Sequence, residues 1–183
     1  MIKSAKVFLP SIALVALTAS CIVTNAAAST AHPVQSHHQS AAKPDYHLGP
    51  ITPTDLLTRF KVFAKNKAAD QTPISDLEVQ NLANHLNHKN MVVVFGTWCH
   101  DSQREIPRLL NLLDKVNAQH ADIDFDIEFI AAAPSHKRDK ALIEKYHITS
   151  VPTIMLFDKG EEQGRVVEHT ELSLAADIVN MKL

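Results

Sequence analysis

Two predominantly apolar segments constrain the fold of this 183-residue chain more than any other feature. They are MVVVF, residues 91–95, and TIMLF, residues 153–157. A strand without polar alternation is covered on both faces, so both segments are predicted to be central strands of a sheet. The segment IDFDIEF, residues 123–129, alternates apolar and acidic residues instead. That alternation is typical of an edge strand, where charges discourage pairing with other sheets.

Helical patterns precede the first strand and fill the intervals between the others. Thr54 and Ser75 are predicted N-caps of two helices ahead of the first strand. Further helices are predicted from about residue 102 to 119, from 135 to 146, and from about residue 171 onward.

A hairpin is predicted after the second apolar segment. The turn DKGEEQG, residues 158–164, leads into the short strand RVVEH, residues 165–169. The order of elements is then strand, helix, strand, helix, hairpin and helix, with the first and third strands central. This order predicts an α/β domain.

The N-terminus has the layout of a secretory signal. Lys3 and Lys6 precede an uncharged apolar run and then small residues, which predicts cleavage after Ala28 and a signal sequence over residues 1–28. The alternative is that Cys21 becomes a lipidated N-terminal residue. We therefore expect an exported, periplasmic protein or, if Cys21 is lipidated, a lipid-anchored envelope protein. Contact with a membrane is expected only in the second case.

Composition divides the rest of the chain and excludes some partners. Residues 29–50 are rich in Ser, Ala, His and Pro without apolar period, which predicts a flexible linker before a folded domain at residues 51–183. The formal net charge of -2 leaves no basic footprint for a nucleic acid. His85 and His88 lack a cysteine or carboxylate placed to join them, so neither a metal nor another cofactor is expected.

The predicted domain holds one cysteine, Cys99, which lies after Trp98 between a strand and a helix. A cysteine at a helix N-terminus has its thiolate stabilised by the helix dipole and by free N–H groups. Ser102, one helical turn further on, can donate a hydrogen bond to the sulfur. His100 and Asp101 are candidate modulators, because a protonated histidine would favour the thiolate and a carboxylate would oppose it. The alternative is an inert cysteine that packs as a small hydrophobic residue.

These residues resemble the thioredoxin superfamily. Trp98 and Cys99 match the start of its W-C-x-x-C site, with Ser102 in place of the second cysteine, as in an exported branch of the superfamily. Pro107 matches the proline of the active-site helix, and KYHITSVPT is similar to the segment that holds the family's cis-proline, here Pro152. The resemblance implies a thioredoxin-like fold, with a mixed central sheet and helices on both faces. The two helices predicted before the first strand would be additions to that fold.

The resemblance also implies a function, which is disulfide isomerase-type or reductase-type exchange through the single nucleophile Cys99. Ser102 would assist the sulfur, and Trp98, Val151 and Pro152 would form the substrate-binding surface. Because Ser102 cannot attack a mixed disulfide, an external reductant thiol or a thiol of the substrate must release Cys99. The expected partners are thus protein or small-molecule thiols and disulfides. The alternative is a redox-inactive binding or chaperone module that uses the cis-proline groove.

Overall fold

The computed structural model describes residues 46–134 and 140–181. The predicted signal sequence, Cys21 and residues 29–45 of the predicted linker lie outside the described residues. In chain order the elements are β1 (Gly49–Pro50), α1 (Pro53–Arg59), α2 (Lys61–Ala69), α3 (Asp76–Leu86), β2 (Asn90–Phe95), α4 (His100–Gln119), β3 (Asp126–Ala131), α5 (Lys140–Tyr146), β4 (Thr153–Asp158), β5 (Glu161–Val167) and α6 (Leu174–Val179). None of these helices is long and apolar enough to cross a membrane.

The strands form one mixed sheet in the order β1-β3-β2-β4-β5. Strands β2 and β3 are parallel, and the other neighbours are antiparallel. The two apolar segments are therefore central, as predicted. Strand β3 is an edge strand only in part, because Ile130 and Ala131 pair with β1 while Asp126 and Glu128 pair with β2 alone.

The linker ends earlier than predicted. Gly49 and Pro50, which the composition places in the linker, pair with Ala131 and Ile130 as the outermost strand. Pro50 is tolerated there because an edge strand does not need its missing N–H. The N–H of His47 also donates to Oγ1 of Thr97 at 3.1 Å. A strand of two residues has no periodic signal, so the sequence pattern could not reveal it.

Three helices precede β2, rather than the two predicted. The first begins after Thr52, not Thr54, because Oγ1 of Thr52 accepts from the N–H of Asp55 at 3.1 Å and Pro53 suits the first helical position. The chain leaves the helical conformation at Phe60, which ends α1 and begins α2. Ser75 is the N-cap of α3 within a full capping box, as predicted.

The turn between β4 and β5 is shorter than predicted. It consists of Lys159 and Gly160, with φ angles of 52° and 88°. Two positive φ angles are typical of the tight turns that join hairpin strands. Residues 161–164 belong to β5 instead, and an irregularity in register opposite Leu156 and Phe157 accommodates the extra residue.

Apolar side chains cover both faces of the sheet. Met91, Val93 and Phe95 of β2 point into a larger core with α1, α2, α3, α4 and α6. Val92 and Val94 point into a smaller core that includes Tyr146 of α5. This alternation explains why residues 91–95 of β2 are all apolar, and it confirms helices on both faces.

A hydrogen-bonded carboxylate joins α3 to α6. Oε2 of Glu78 accepts from the N–H of Ser75 at 3.0 Å and from its hydroxyl at 2.8 Å. Oε1 of Glu78 accepts from the hydroxyl of Ser173 at 2.7 Å. Ser173 caps α6, which therefore begins at Leu174 rather than at residue 171. The hydrogen bonds from the Ser75 backbone and from the Ser173 and Ser75 side chains lower the pKa of Glu78.

We expect Glu78→Gln to lower the free energy of unfolding at pH 7 by about 1 kcal/mol, because the capping box weakens. A depressed folded-state pKa stabilises the fold above the ordinary glutamate pKa of 4.5, and this stabilisation is lost as pH falls through the folded-state pKa. Urea unfolding at pH 7 and at about pH 3 tests this. The difference from the parent should shrink at the lower pH. Glu161→Gln, at an exposed position, is the control; an equal loss there would contradict the explanation.

Candidate active site

Cys99 is the N-cap residue of α4. The chain turns after β2, and the N–H of Cys99 donates to the carbonyl of Gly96 at 3.0 Å. The helix begins at His100, two residues earlier than predicted, and runs for 20 residues. The thiol is partly exposed. The thiol thus lies at the N-terminus of a helix, which is the position predicted for it.

The thiol contacts the residue before the predicted cis-proline. Sγ of Cys99 donates to the carbonyl oxygen of Val151 at 3.3 Å. The peptide bond between Val151 and Pro152 is cis, and both residues are buried directly before β4. The structure therefore brings together Cys99, Val151 and Pro152, which are far apart in sequence.

Trp98 is fixed beside the cysteine by its indole nitrogen. Nε1 donates to the carbonyl of Ala132 at 2.9 Å, just beyond β3. The ring lies over Gly96 so closely that a Cβ on Gly96 would stand 2.8 Å from Cε2 of the indole. Glycine is therefore required at this position for the tryptophan to pack as it does. Trp98 and Cys99 both pack against the smaller core.

Ser102 differs from the prediction. Its side chain is fully buried, and its Oγ accepts a hydrogen bond from the N–H of Gly96 at 3.0 Å. No hydrogen bond joins Ser102 to the sulfur of Cys99 in the described part of the chain, where the thiol donates to Val151 instead. The reason is that the buried N–H of Gly96 requires an acceptor, and Ser102 is the side chain within reach. In this structure Ser102 holds the loop that carries Cys99.

The two candidate modulators lie on the first turn of α4. Asp101 forms an ion pair with Arg104, with 2.8 Å between Oδ1 and the guanidinium nitrogen. His100 is exposed. Neither residue makes a hydrogen bond or an ion pair with Cys99 among residues 46–134 and 140–181. Any effect of His100 or Asp101 on Cys99 must therefore be electrostatic and act without a direct contact.

A network behind the active-site loop had no signal in the sequence. Thr97 is buried; its Oγ1 accepts from His47, and its carbonyl accepts from the side-chain amide of Gln103 at 3.0 Å. The side chain of Asn66 donates to the carbonyl of Gln103 at 2.7 Å. Segments before β1, in α2 and in α4 thus converge on the loop. His47 and Thr97, like Asn66 and Gln103, are separated by tens of residues, so spacing could not predict these two contacts.

A second feature that the sequence analysis missed is Glu105 on α4. It is 3% exposed, and Nε of Arg104 donates to its Oε1 at 2.6 Å. The hydrogen bond from Arg104 to Glu105 raises the pKa of Arg104. A glutamate directly after an arginine is typical of an exposed helix position. Its place directly before Ile106 and Pro107 was the signal in the sequence that could have suggested burial. No cluster of three or more His, Cys, Asp or Glu side chains suited to a metal ion occurs within the described ranges.

Comparison with known families identifies the chain. The model of the family described as "TraF: F plasmid transfer operon protein" matches residues 63–177, which is more than half of the chain and includes Cys99, Ser102 and Pro152. The chain belongs to the TraF family. Its fold is thioredoxin-like, as predicted, with a mixed five-stranded sheet and three helices before β2. TraF membership and this fold are compatible with thiol–disulfide chemistry.

Solved structures of low sequence identity are similar to this TraF-family chain. A protein of unknown function from Pseudomonas aeruginosa is 14% identical, with a TM-score of 0.46; the alignment covers 69% of this chain and 82% of that one. Trxlp from Edwardsiella tarda is 23% identical, with a TM-score of 0.40; the alignment covers 61% of this chain and 97% of that one. Fasciola hepatica thioredoxin is 19% identical, with a TM-score of 0.37; the alignment covers 57% of this chain and 91% of that one. No curated protein matches the chain.

Proposed function

We propose that this TraF-family chain exchanges disulfides through the single nucleophile Cys99. One observation carries the proposal: the partly exposed sulfur lies at the N-terminus of a 20-residue helix and 3.3 Å from the carbonyl of Val151, beside Pro152. An inert cysteine that packs as a small hydrophobic residue is expected to be buried, whereas Cys99 is partly exposed at a helix N-cap. Reactive cysteines commonly lie at helix N-termini, and the thiolate is the species that attacks disulfides.

In the exchange step one S–S bond forms and another S–S bond breaks. The thiolate of Cys99 attacks one sulfur of the substrate disulfide, a new S–S bond forms, and the second substrate sulfur leaves as a thiolate. The number of disulfides is unchanged, and the product is a mixed disulfide between Cys99 and the substrate. This step needs no cofactor.

The substrate-binding surface in this proposal consists of Trp98, Val151 and Pro152. When Cys99 loses its proton, the carbonyl of Val151 becomes free to accept from a substrate N–H. No residue that the structure describes accepts from the N–H of Val151 itself. A substrate strand could therefore pair with both backbone groups of Val151, in the manner of an added strand. The indole of Trp98, held by Ala132, would form the apolar wall beside it.

Release of the substrate distinguishes this site from a dithiol site. The side chain at the position of the second cysteine is Ser102, which is fully buried and bonded to Gly96. The hydroxyl of Ser102 cannot attack a mixed disulfide, so either an external reductant thiol or a second thiol of the substrate must attack it. The first route reduces the substrate, and the second rearranges its disulfides.

The proposed setting is an oxidising compartment. A secretory signal over residues 1–28 would export the chain to the periplasm, or lipidation of Cys21 would anchor it to the envelope. Structural disulfides persist in such compartments, so protein substrates with wrong or mixed disulfides are available there.

The test is an exchange assay with the full chain. A small secreted protein with scrambled disulfides is incubated with reduced glutathione and with or without the chain, and recovery of its native disulfides is followed. We expect the chain to accelerate recovery well beyond glutathione alone. Recovery at the glutathione rate, with folded protein present, would refute the proposed exchange.

A further inference from the structure

Strand β5 forms a long free edge of the sheet. It is last in the strand order, spans the seven residues Glu161–Val167, and pairs with β4 alone among the described strands. The opposite edge ends in the two residues of β1, one of which is Pro50. An exposed row of backbone N–H and C=O groups can pair with a strand of another chain. Strand β5 is therefore the edge at which the sheet can be extended.

The outer side of β5 carries the backbone groups of Glu162 and Arg165. The N–H of Glu168 donates to the carbonyl of Pro152 at 2.8 Å, and bonded residues alternate along an antiparallel ladder, so Arg165 directs its N–H and C=O away from β4. Glu161 closes the two-residue turn of the hairpin and is bonded to β4, so Glu162 is also directed outward. The extra residue at the irregularity in register lets both residues face outward although they are three apart.

The charges of β5 and its flanks are self-complementary in an antiparallel arrangement. If two copies of β5 pair about a two-fold axis between Gln163 and Gly164, Glu162 of each copy lies opposite Arg165 of the other. Because the backbone groups of both residues point outward, these are positions at which the two strands can exchange hydrogen bonds. Over residues 158–169 this register opposes no two like charges. Opposite charges on facing strands stabilise a pair, whereas like charges destabilise it.

The flanking residues extend the same pattern. Lys159, exposed in the turn before β5, lies opposite Glu168, which is exposed after the strand. Asp158 lies opposite His169. Charges and irregularities in register also protect edge strands against pairing with unrelated chains. The two effects are compatible, because a charge pattern that repels other strands but matches its own copy selects a second copy of this chain.

A groove between this edge and α6 has apolar side chains to cover. Its volume is about 450 Å³, and its lining includes Val166, Leu172 and Met181. The side chain of Leu172 is 72% exposed. A two-fold axis perpendicular to the sheet keeps the α6 helices of both copies on the same face, so the two grooves lie on either side of the paired strands. Association therefore removes apolar surface from water in addition to pairing the backbones.

We propose that the chain forms a symmetric dimer through β5, in which two five-stranded sheets join into one ten-stranded sheet. The same edge of both copies forms the interface, as a two-fold axis requires. Within one copy, Nη2 of Arg165 and Oε2 of Glu162 are 2.6 Å apart. Pairing across the axis joins two such ion pairs into a network of four charges, and a network fixes the register better than isolated pairs do. The dimer needs no thiol chemistry at Cys99.

The test is sedimentation velocity of the full chain over a range of concentrations, with a reducing agent that prevents disulfide-linked dimers. We expect the parent to dimerise. Glu162→Arg alone and Arg165→Glu alone each oppose like charges at two positions, so each should self-associate at least about tenfold more weakly. An equimolar mixture of the two variants restores both opposite-charge pairs and should dimerise about as well as the parent, within about threefold in the dissociation constant.

Asp122→Lys is the matched control, because it reverses an exposed charge just before β3, away from the β5 edge. It should leave association unchanged. A parent that is monomeric at every concentration, single variants that dimerise as well as the parent, or a mixture that stays as dissociated as its components would each overturn the proposal. If a variant does not fold, Lys159→Glu and Glu168→Lys, alone and mixed, decide by the same outcomes.

Hydrogen–deuterium exchange of the parent checks the register directly. The N–H groups of Glu162 and Arg165 should exchange more slowly as the protein concentration rises, because the dimer pairs them. Exchange at these two positions that does not change with concentration, in a protein that sedimentation shows to be dimeric, would place the interface elsewhere and overturn the proposal. Neither measurement uses a disulfide substrate, so these outcomes are independent of the exchange assay.

Discussion

Replacing Cys99 with alanine should abolish disulfide exchange and leave only the rate of the glutathione buffer. The chain has two cysteines, so the comparison is made in a Cys21→Ser background, in which no thiol other than Cys99 can act as the nucleophile. Alanine removes the sulfur but keeps the Cβ, and the N-cap conformation of residue 99 does not depend on a side-chain hydrogen bond. The loss should therefore be one of chemistry and not of folding. The measurement is the scrambled-disulfide assay, accompanied by thermal unfolding of both proteins.

The same variant separates exchange from simple binding. A module that only holds extended segments would use Trp98, Val151 and Pro152, and these residues are intact in Cys99→Ala. Catalysis of exchange by the parent and its loss in the variant support the nucleophile. Equal effects of parent and variant on the substrate, together with equal substrate binding, would instead support the redox-inactive binding or chaperone module.

The second large effect is expected from Ser102→Cys, which adds a thiol one turn after Cys99. Side chains three residues apart on a helix have Cβ atoms about 5–6 Å apart, and modest adjustment at the N-cap brings two sulfurs into bonding range. The new thiol should attack mixed disulfides formed at Cys99 and release the substrate without outside help. In a Cys21→Ser background we expect oxidation to convert both thiols to an internal disulfide.

Thiol titration and intact mass measure this conversion. The control is Ser102→Ala, which also removes the acceptor of the Gly96 N–H but adds no sulfur. We expect both variants to lose stability, by about 1–3 kcal/mol for alanine, because a buried N–H is left without its partner. Persistent mixed disulfides in Ser102→Cys, with the same lifetime as in the parent, would show that Ser102 is not what limits release.

The sequence was most informative where local patterns coincide with the tertiary structure. Residues 91–95 of β2 and 154–157 of β4 are apolar because both faces of the central sheet are covered, so the position of these strands could be predicted from residues 91–95 and 153–157. The placement of Cys99 before a helix followed from the change of pattern after Phe95. These features depend on neighbours in the chain, and a local pattern is sufficient to predict them.

The remainder depends on contacts between distant segments. Strand β1 exists because Gly49 and Pro50 meet the end of β3, and no property of the two residues alone indicates this. The acceptor role of Ser102 depends on the buried N–H of Gly96 in the preceding loop. Glu105 reads as a surface residue in sequence, but packing of β4 and α6 against α4 buries it. Long-range packing decided each case.

The central claim is that Cys99 forms a mixed disulfide which the protein cannot resolve alone. The most direct measurement is intact mass of the Cys21→Ser chain after incubation with oxidised glutathione and removal of excess reagent, with peptide mapping to locate the adduct. We predict one glutathione per chain, on Cys99, that persists until a reduced thiol is added. A chain that acquires no adduct, or loses it without any added thiol, would contradict the account.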